Sequence, residues 1–132
     1  MPTRYGGYSL EQIANAIAQI ESSGGTNVGP RYEPGFQKKY LAGKPQWEAL
    51  AKQHGWRAVS SSYGPYQVLY PVAVELGFKG TPEELADPAT NREYFEKKFL
   101  RDFKRSGGNL DKTLLRYNGG GTPDYPSKVR QR

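Results

Sequence analysis

The chain has no cysteine and only one histidine, His54, among its 132 residues. The first absence excludes disulfides and thiolate metal sites, so stability has to come from packing. The second excludes a multi-histidine zinc site, and no metal or cofactor is expected. Long apolar runs are also missing. No stretch approaches the roughly 20 residues a membrane helix needs, so no membrane insertion is expected. Met1 to Ser9 holds no apolar core of the kind a secretory leader has, and none is expected in this chain.

What is abundant is positive charge and aromatic surface. Nineteen Lys and Arg stand against 13 Asp and Glu, a formal net charge of +6. That balance suits an anionic partner: a nucleic acid, a membrane surface, or a cell wall bearing carboxylates and phosphates. It is equally the balance of an ordinary protein with a modest basic excess. Ten Tyr, five Phe and two Trp are many for this length. Aromatic rings fill cores, and they also stack on the apolar faces of sugars or bases. The length fits one compact domain with one core, spanning residues 1–132.

Helical punctuation runs through most of the chain. Ser9 reads as an N-cap with Gln12 as its capping-box partner, and Tyr8 and Ile13 as a hydrophobic staple. Leu10, Ile13, Ala14, Ile17 and Ile20 follow at helical spacing, and Gly24-Gly25 ends the segment. A Gly- and Pro-rich loop covers 26–35. Short helices are predicted over 36–41 and Pro45 to His54, and a Ser-rich loop over Arg57 to Tyr63. Pro65 to Leu76 reads as helix in two pieces broken around Pro71. Thr81-Pro82-Glu83-Glu84 and Asp87-Pro88 both read as helix starts, and the second helix runs to about Ser106. Its Phe95, Phe99 and Phe103 form a stripe best read as core. Asn109 caps a helix to about Tyr117, and a last short helix covers Pro126 to Arg130. No segment shows period-two alternation, so no sheet is expected. The fold class is mostly α.

Periodicity puts Glu21 in the last turn of the first helix, at the edge of its apolar face. Desolvation there disfavours the ionised carboxyl, and the negative end of the helix dipole acts the same way. A carboxyl that keeps its proton is what a glycosidase uses to protonate a leaving oxygen. Taken alone, the pattern favours the plainer reading, a solvated Glu at a helix end.

Five short motifs change that weighting. Glu21-Ser22 before Gly24-Gly25 resembles the first motif of the lytic transglycosylase and goose-type lysozyme superfamily. Gly64-Pro65-Tyr66-Gln67, with Pro71 four residues on, resembles its Gly-Leu-Met-Gln motif, and Ala73 and Leu76-Gly77 follow as the family has them. Asp87-Pro88 with Asn91 resembles the third motif, and Tyr117-Asn118-Gly119-Gly120 the fourth. Tyr125 to Val129 resembles the closing Tyr-x-x-x-Val helix. Each is weak alone, but all five come in the family's order over about 9–130. Pro65-Tyr66 departs from the usual Leu-Met, and the 28–59 segment is longer than in minimal members.

The resemblance implies a lysozyme-like domain of short helices around a glycan-binding cleft. It implies cleavage of the β-1,4 bond between N-acetylmuramic acid and N-acetylglucosamine in peptidoglycan, with Glu21 as acid and then base, no cofactor, and a 1,6-anhydro product. A hydrolytic muramidase on the same fold is the alternative, and Glu33 is the candidate second carboxylate that would position its water. The competing reading of Glu33 is a loop carboxylate paired to Arg31. Gln67 and Tyr117 are candidates to face substrate, as are Ser22, Tyr63, Tyr66 and Asn118; Gln67 fits a buried structural amide tying loops together equally well, and Tyr117 also fits a core aromatic. Ser22 also fits a helix-end hydrogen bond to backbone, Asn118 a turn, and the two tyrosines packing.

The expected partner is a glycan strand met by a monomer at the wall, in the periplasm or at the extracellular face. Without a leader the chain is expected to be delivered by another component, as a phage-encoded protein would be. Two readings from other classes remain. A non-catalytic wall-binding module would have no need of Glu21. A DNA-binding protein would gather its basic residues on one recognition helix, whereas here they are scattered, so nucleic acid is not expected as a partner.

Overall fold

A capping box opens the first helix. Extended Ser9 takes the Gln12 N–H on its hydroxyl, and the Gln12 side chain takes the Ser9 N–H in return. The computed structural model describes residues 4–25, 29–118 and 125–130. A two-stranded ribbon, β1 (Arg4–Tyr5) and β2 (Tyr8–Ser9), leads into α1 (Leu10–Ser22). Next come β3 (Arg31–Tyr32) and α2 (Pro34–Phe36), which continues as a π-helical turn over Gln37–Leu41. α3 (Pro45–His54) and α4 (Trp56–Val59) precede β4 (Ser61–Tyr63) and β5 (Val68–Leu69). α5 (Tyr70–Glu75), a 3-10 turn (Glu83–Ala86), α6 (Pro88–Arg105), α7 (Leu110–Asn118) and α8 (Tyr125–Arg130) complete the order.

The fold is mostly α-helical, as the punctuation predicts, but the expectation of no sheet is wrong. β3, β4 and β5 form an antiparallel three-stranded sheet in sequence order. Strands of two or three residues are too short to display alternation, so periodicity could not report them. β4 and α4 occupy the stretch read as a Ser-rich loop. The helix expected from Pro65 is a tight turn and β5. Pro71 begins α5 instead of breaking a helix, because a missing N–H costs nothing in a first turn. Thr81 and Glu84 do exchange capping-box hydrogen bonds, but only one 3-10 turn follows. Asp87-Pro88 restarts the chain at once, with the Asp87 carboxylate accepting the Thr90 N–H at 3.0 Å.

The core is a continuous apolar cluster with α6 at its centre. Ile13 and Ile17 of α1, Val68 of β5, Phe95 and Phe99 of α6, and Leu114 of α7 are buried in it. Phe103 packs at its edge. α7 packs on α6, and α8 packs on both α7 and α1, which closes the chain's end onto its beginning. Among the described residues no helix is long and apolar enough to cross a membrane.

Asn91, in the first turns of α6, is fully buried and bonded on both ends of its amide. Oδ1 accepts the Tyr66 N–H at 2.9 Å, and Nδ2 donates to the carbonyls of Tyr63 at 2.8 Å and Leu85 at 2.9 Å. It thus holds the 64–67 turn and the 3-10 turn to α6. Gly64 sits in that turn at φ +77°, and a Cβ there would overlap the Asn91 carboxamide. Asn91→Leu leaves two carbonyls and an N–H buried without partners. Unsatisfied buried groups cost about 1–3 kcal/mol each, so urea denaturation should show a loss of at least about 3 kcal/mol. A loss below about 1 kcal/mol would show that the clamp does not hold the turn.

Candidate functional site

The three-stranded sheet sorts side chains by face. Arg31, Ser62 and Leu69 stand opposite one another across β3, β4 and β5, and all three line a cleft of about 590 Å³. Tyr63 pairs with Val68 on the alternate positions, and both are buried in the core. Glu21 reaches the same cleft from the last turn of α1, with its side chain 15 % exposed. Left-handed Ser23 ends that helix, and the Ser23 and Gly24 N–H groups both return to the Ala18 carbonyl.

Gln67 and Glu33 line the cleft as well. Gln67 is one of the described non-glycine residues with positive φ, at 48°, a conformation that costs on the order of 1 kcal/mol or more. Its amide is heavily engaged. Nε2 donates to the carbonyls of Gly64 at 2.8 Å and Gly29 at 3.4 Å, and Oε1 accepts from the Ser62 hydroxyl at 3.0 Å. Gln67 therefore ties loops together at the cleft wall. Glu33 is exposed, and its N–H donates to the Ser60 carbonyl at 3.0 Å. Arg31 turns toward Glu21. Its guanidinium donates to the Glu21 main-chain carbonyl and lies 3.8 Å from the carboxylate. A cation at the end of α1 complements the negative end of the helix dipole.

Tyr117 joins the cleft from α7. Its hydroxyl donates to the Tyr66 carbonyl, and its ring meets Phe95 edge-on with centroids 5.7 Å apart. Tyr66 itself does not line the cleft. Its ring stacks on Phe95 at 4.7 Å, and its hydroxyl accepts from Arg92 at 3.3 Å. Tyr63 is likewise withdrawn, with its hydroxyl donating to the Ala58 carbonyl at 2.5 Å. Of the two readings open for these tyrosines, sugar contact and packing, the structure places both rings in packing. The tight turn gives its apolar ring to the core and its amide to the cleft. Ser22 is buried and donates to the Ala18 carbonyl at 2.9 Å while accepting the Gly25 N–H at 3.0 Å. This is the helix-end bond that its sequence position allows. The Asn118 side chain and Gly119-Gly120-Gly121 lie outside the described residues.

The sequence reading missed a buried lysine. Lys98 of α6 is 6 % exposed, yet it lines the cleft. Its Nζ donates to the Tyr117 carbonyl at 3.1 Å and lies 3.8 Å from the centre of the Tyr117 ring. Burial pulls its pKa down to about 8, against the attraction of Asp102 and Glu21 and with the repulsion of Arg101. Asp102, also buried, is bonded by Arg101 at 3.2 Å. A signal was there: Lys98 and Asp102 fall three positions after Phe95 and Phe99, on the buried side of α6. Charges on an apolar stripe are the informative exception. Among the described residues no three His, Cys, Asp or Glu side chains gather as a metal site requires.

Lys98 makes stability depend on pH. Below about pH 8 its ammonium is protonated in both folded and unfolded chains, and burying it costs stability throughout. From about 8 toward the ordinary 10.5 the folded chain sheds a proton that the unfolded chain keeps, so stability rises with pH. Tyr63, pushed up to about 12 by burial, opposes this only above pH 10. Urea denaturation should show the protein gaining about 2–3 kcal/mol between pH 8 and 10 through this group, a gain missing in Lys98→Met. Equal pH profiles for the two proteins would refute the assignment.

These features rest on the chain's own residues, because comparison with known proteins finds no family model, no curated protein and no solved structure that matches it.

Proposed function

We propose that the protein is a peptidoglycan lytic transglycosylase with a lysozyme-like catalytic domain and Glu21 as its acid and base. The observation that carries this reading is convergence. Glu21, Gln67 and Tyr117 come from three distant stretches of sequence, each within a motif that resembles the family's, and they line one cleft. That cleft is lined mostly by polar and charged side chains, as a saccharide site is, and its volume falls within the usual range for ligand sites.

In the first half of the reaction Glu21 gives its proton to the glycosidic oxygen. The bond from that oxygen to the muramic anomeric carbon breaks, and the 2-acetamido group stabilises the positive charge left behind. In the second half the ionised Glu21 takes the proton of the 6-hydroxyl, whose oxygen closes onto the anomeric carbon as the 1,6-anhydro ring. No water is consumed and Glu21 is regenerated. Arg31 pairs with the ionised form, which is the form the second half uses. A glycan entering the cleft separates the pair for the first half. The protein acts as a monomer at the cell wall, in the periplasm or at the extracellular face.

The hydrolytic alternative has one observation in its favour: Glu33 lines the same cleft as Glu21. Inverting glycosidases hold a water between two carboxyls roughly 6.5–9.5 Å apart.

Glu21→Gln should retain the fold and lower the rate of wall clearing at least about 100-fold, the usual scale for a lost general acid. A variant that clears walls as fast as the parent would end the proposal. Mass spectrometry of the digest should show muramic ends lighter by one water than hydrolysed ends. Glu33→Gln should still yield those anhydro ends. A parent that yields only hydrolysed ends, with a Glu33→Gln variant that loses them, would establish the muramidase instead.

A further inference from the structure

Neutral sugars give a cleft little use for guanidinium groups, yet this cleft is lined by several. Arg31, Lys98, Arg101, Arg105 and Arg116 stand on its wall against the carboxylates Glu21, Glu33 and Asp102. Two of the cations are already engaged: Arg31 lies against Glu21 at 3.8 Å and Arg101 against Asp102 at 3.2 Å. Arg105 and Arg116 have no carboxylate within 4.0 Å among the described residues. Both are exposed side chains. They come to the same cleft from two helices. Lys98, Arg101 and Arg105 follow each other along one face of α6 at intervals of three and four, and Arg116 stands on α7, which packs against α6.

The arrangement is local. The chain's Lys and Arg are scattered along the sequence, but α6 and α7 deliver four of them to the cleft that holds Glu21. A guanidinium presents a planar fork of donors that matches a carboxylate, and arginine is the residue used where that match is read.

We propose that Arg105 and Arg116, backed by Arg101, form an anion subsite that binds a carboxylate of the peptide stem carried by the glycan strand. The proposal rests on the cleavage reading above and names the part of the substrate which that reading leaves open. The stem hangs from the muramic residue at the bond to be cut, so its carboxylates enter the cleft together with the glycan. A phosphate of a wall polymer presents similar anionic chemistry, but it is not carried by the sugar being cleaved. The subsite therefore favours stem-bearing strands over bare ones and contributes to binding more than to the chemical step.

The test uses three wall preparations: wall as isolated, wall freed of phosphate polymers by acid, and phosphate-free wall whose stem carboxylates have been amidated. The parent and an Arg105→Gln, Arg116→Gln double variant are compared on each. The parent should cleave the first two alike and show KM about tenfold higher on the third, the scale of losing charge-assisted hydrogen bonds. The double variant should already show that raised KM on phosphate-free wall, with kcat nearly kept and no further rise on amidation. A parent indifferent to amidation overturns the proposal, as does a variant that loses the same factor on both walls. A loss that follows phosphate removal assigns the arginines to phosphate and overturns the stem assignment. If the parent cleaves none of the walls, the cleavage reading has failed. Co-sedimentation then decides the subsite separately. Binding to phosphate-free wall that is lost on amidation, and lost in the double variant, sustains it, whereas equal sedimentation overturns it.

Discussion

One buried amide holds the structure in its working shape. Asn91 satisfies its whole carboxamide on three main-chain groups from two separate turns. A buried polar side chain costs least when its partners are this complete, and it then specifies geometry more sharply than apolar contact does. The consequence runs outward from α6. The 64–67 turn is clamped, Tyr66 is pressed onto Phe95, and Gln67 is left in a left-handed conformation at the cleft wall. The Tyr66 carbonyl then receives the Tyr117 hydroxyl, so the clamp reaches α7 as well.

The cleft is electrostatically organised around a second buried polar group. Lys98 lies under the Tyr117 ring with its ammonium bonded to the Tyr117 carbonyl. Burial makes that charge expensive, and the nearby carboxylates of Asp102 and Glu21 offset part of the cost. Placing a cation here holds the end of α7 to α6 and sets a positive field behind Glu21. Arg31 adds a second cation, which β3 brings against the end of α1. The carboxyl proposed as the reactive group thus feels two positive groups from elements far apart in sequence.

The legibility of the chain followed the range of the interactions involved. Caps and glycine stops act over three or four residues, so α1, α3, α6 and α7 could be read from Ser9, Gly55, Asp87 and Asn109. The sheet could not. Its strands are too short to carry a pattern, and pairing of Arg31 with Ser62 is a contact between stretches thirty residues apart. Sequence could not choose between the two readings of Tyr63 and Tyr66 for the same reason. An aromatic beside a motif looks equally suited to sugar or core until the register of β4 and the clamp on the turn decide which way it faces. Lys98 was passed over because it sat within a stripe of phenylalanines that reads as core.

By itself, then, the sequence determined the helical class, the main helix boundaries and the position of Glu21 at the end of α1, because local hydrogen bonding and side-chain spacing decide those. Tertiary structure alone decided the company Glu21 keeps. Arg31, Gln67, Lys98 and Tyr117 reach one cleft through strand register and through the packing of α7 on α6. Both depend on contacts between distant residues, and no window along the chain contains them.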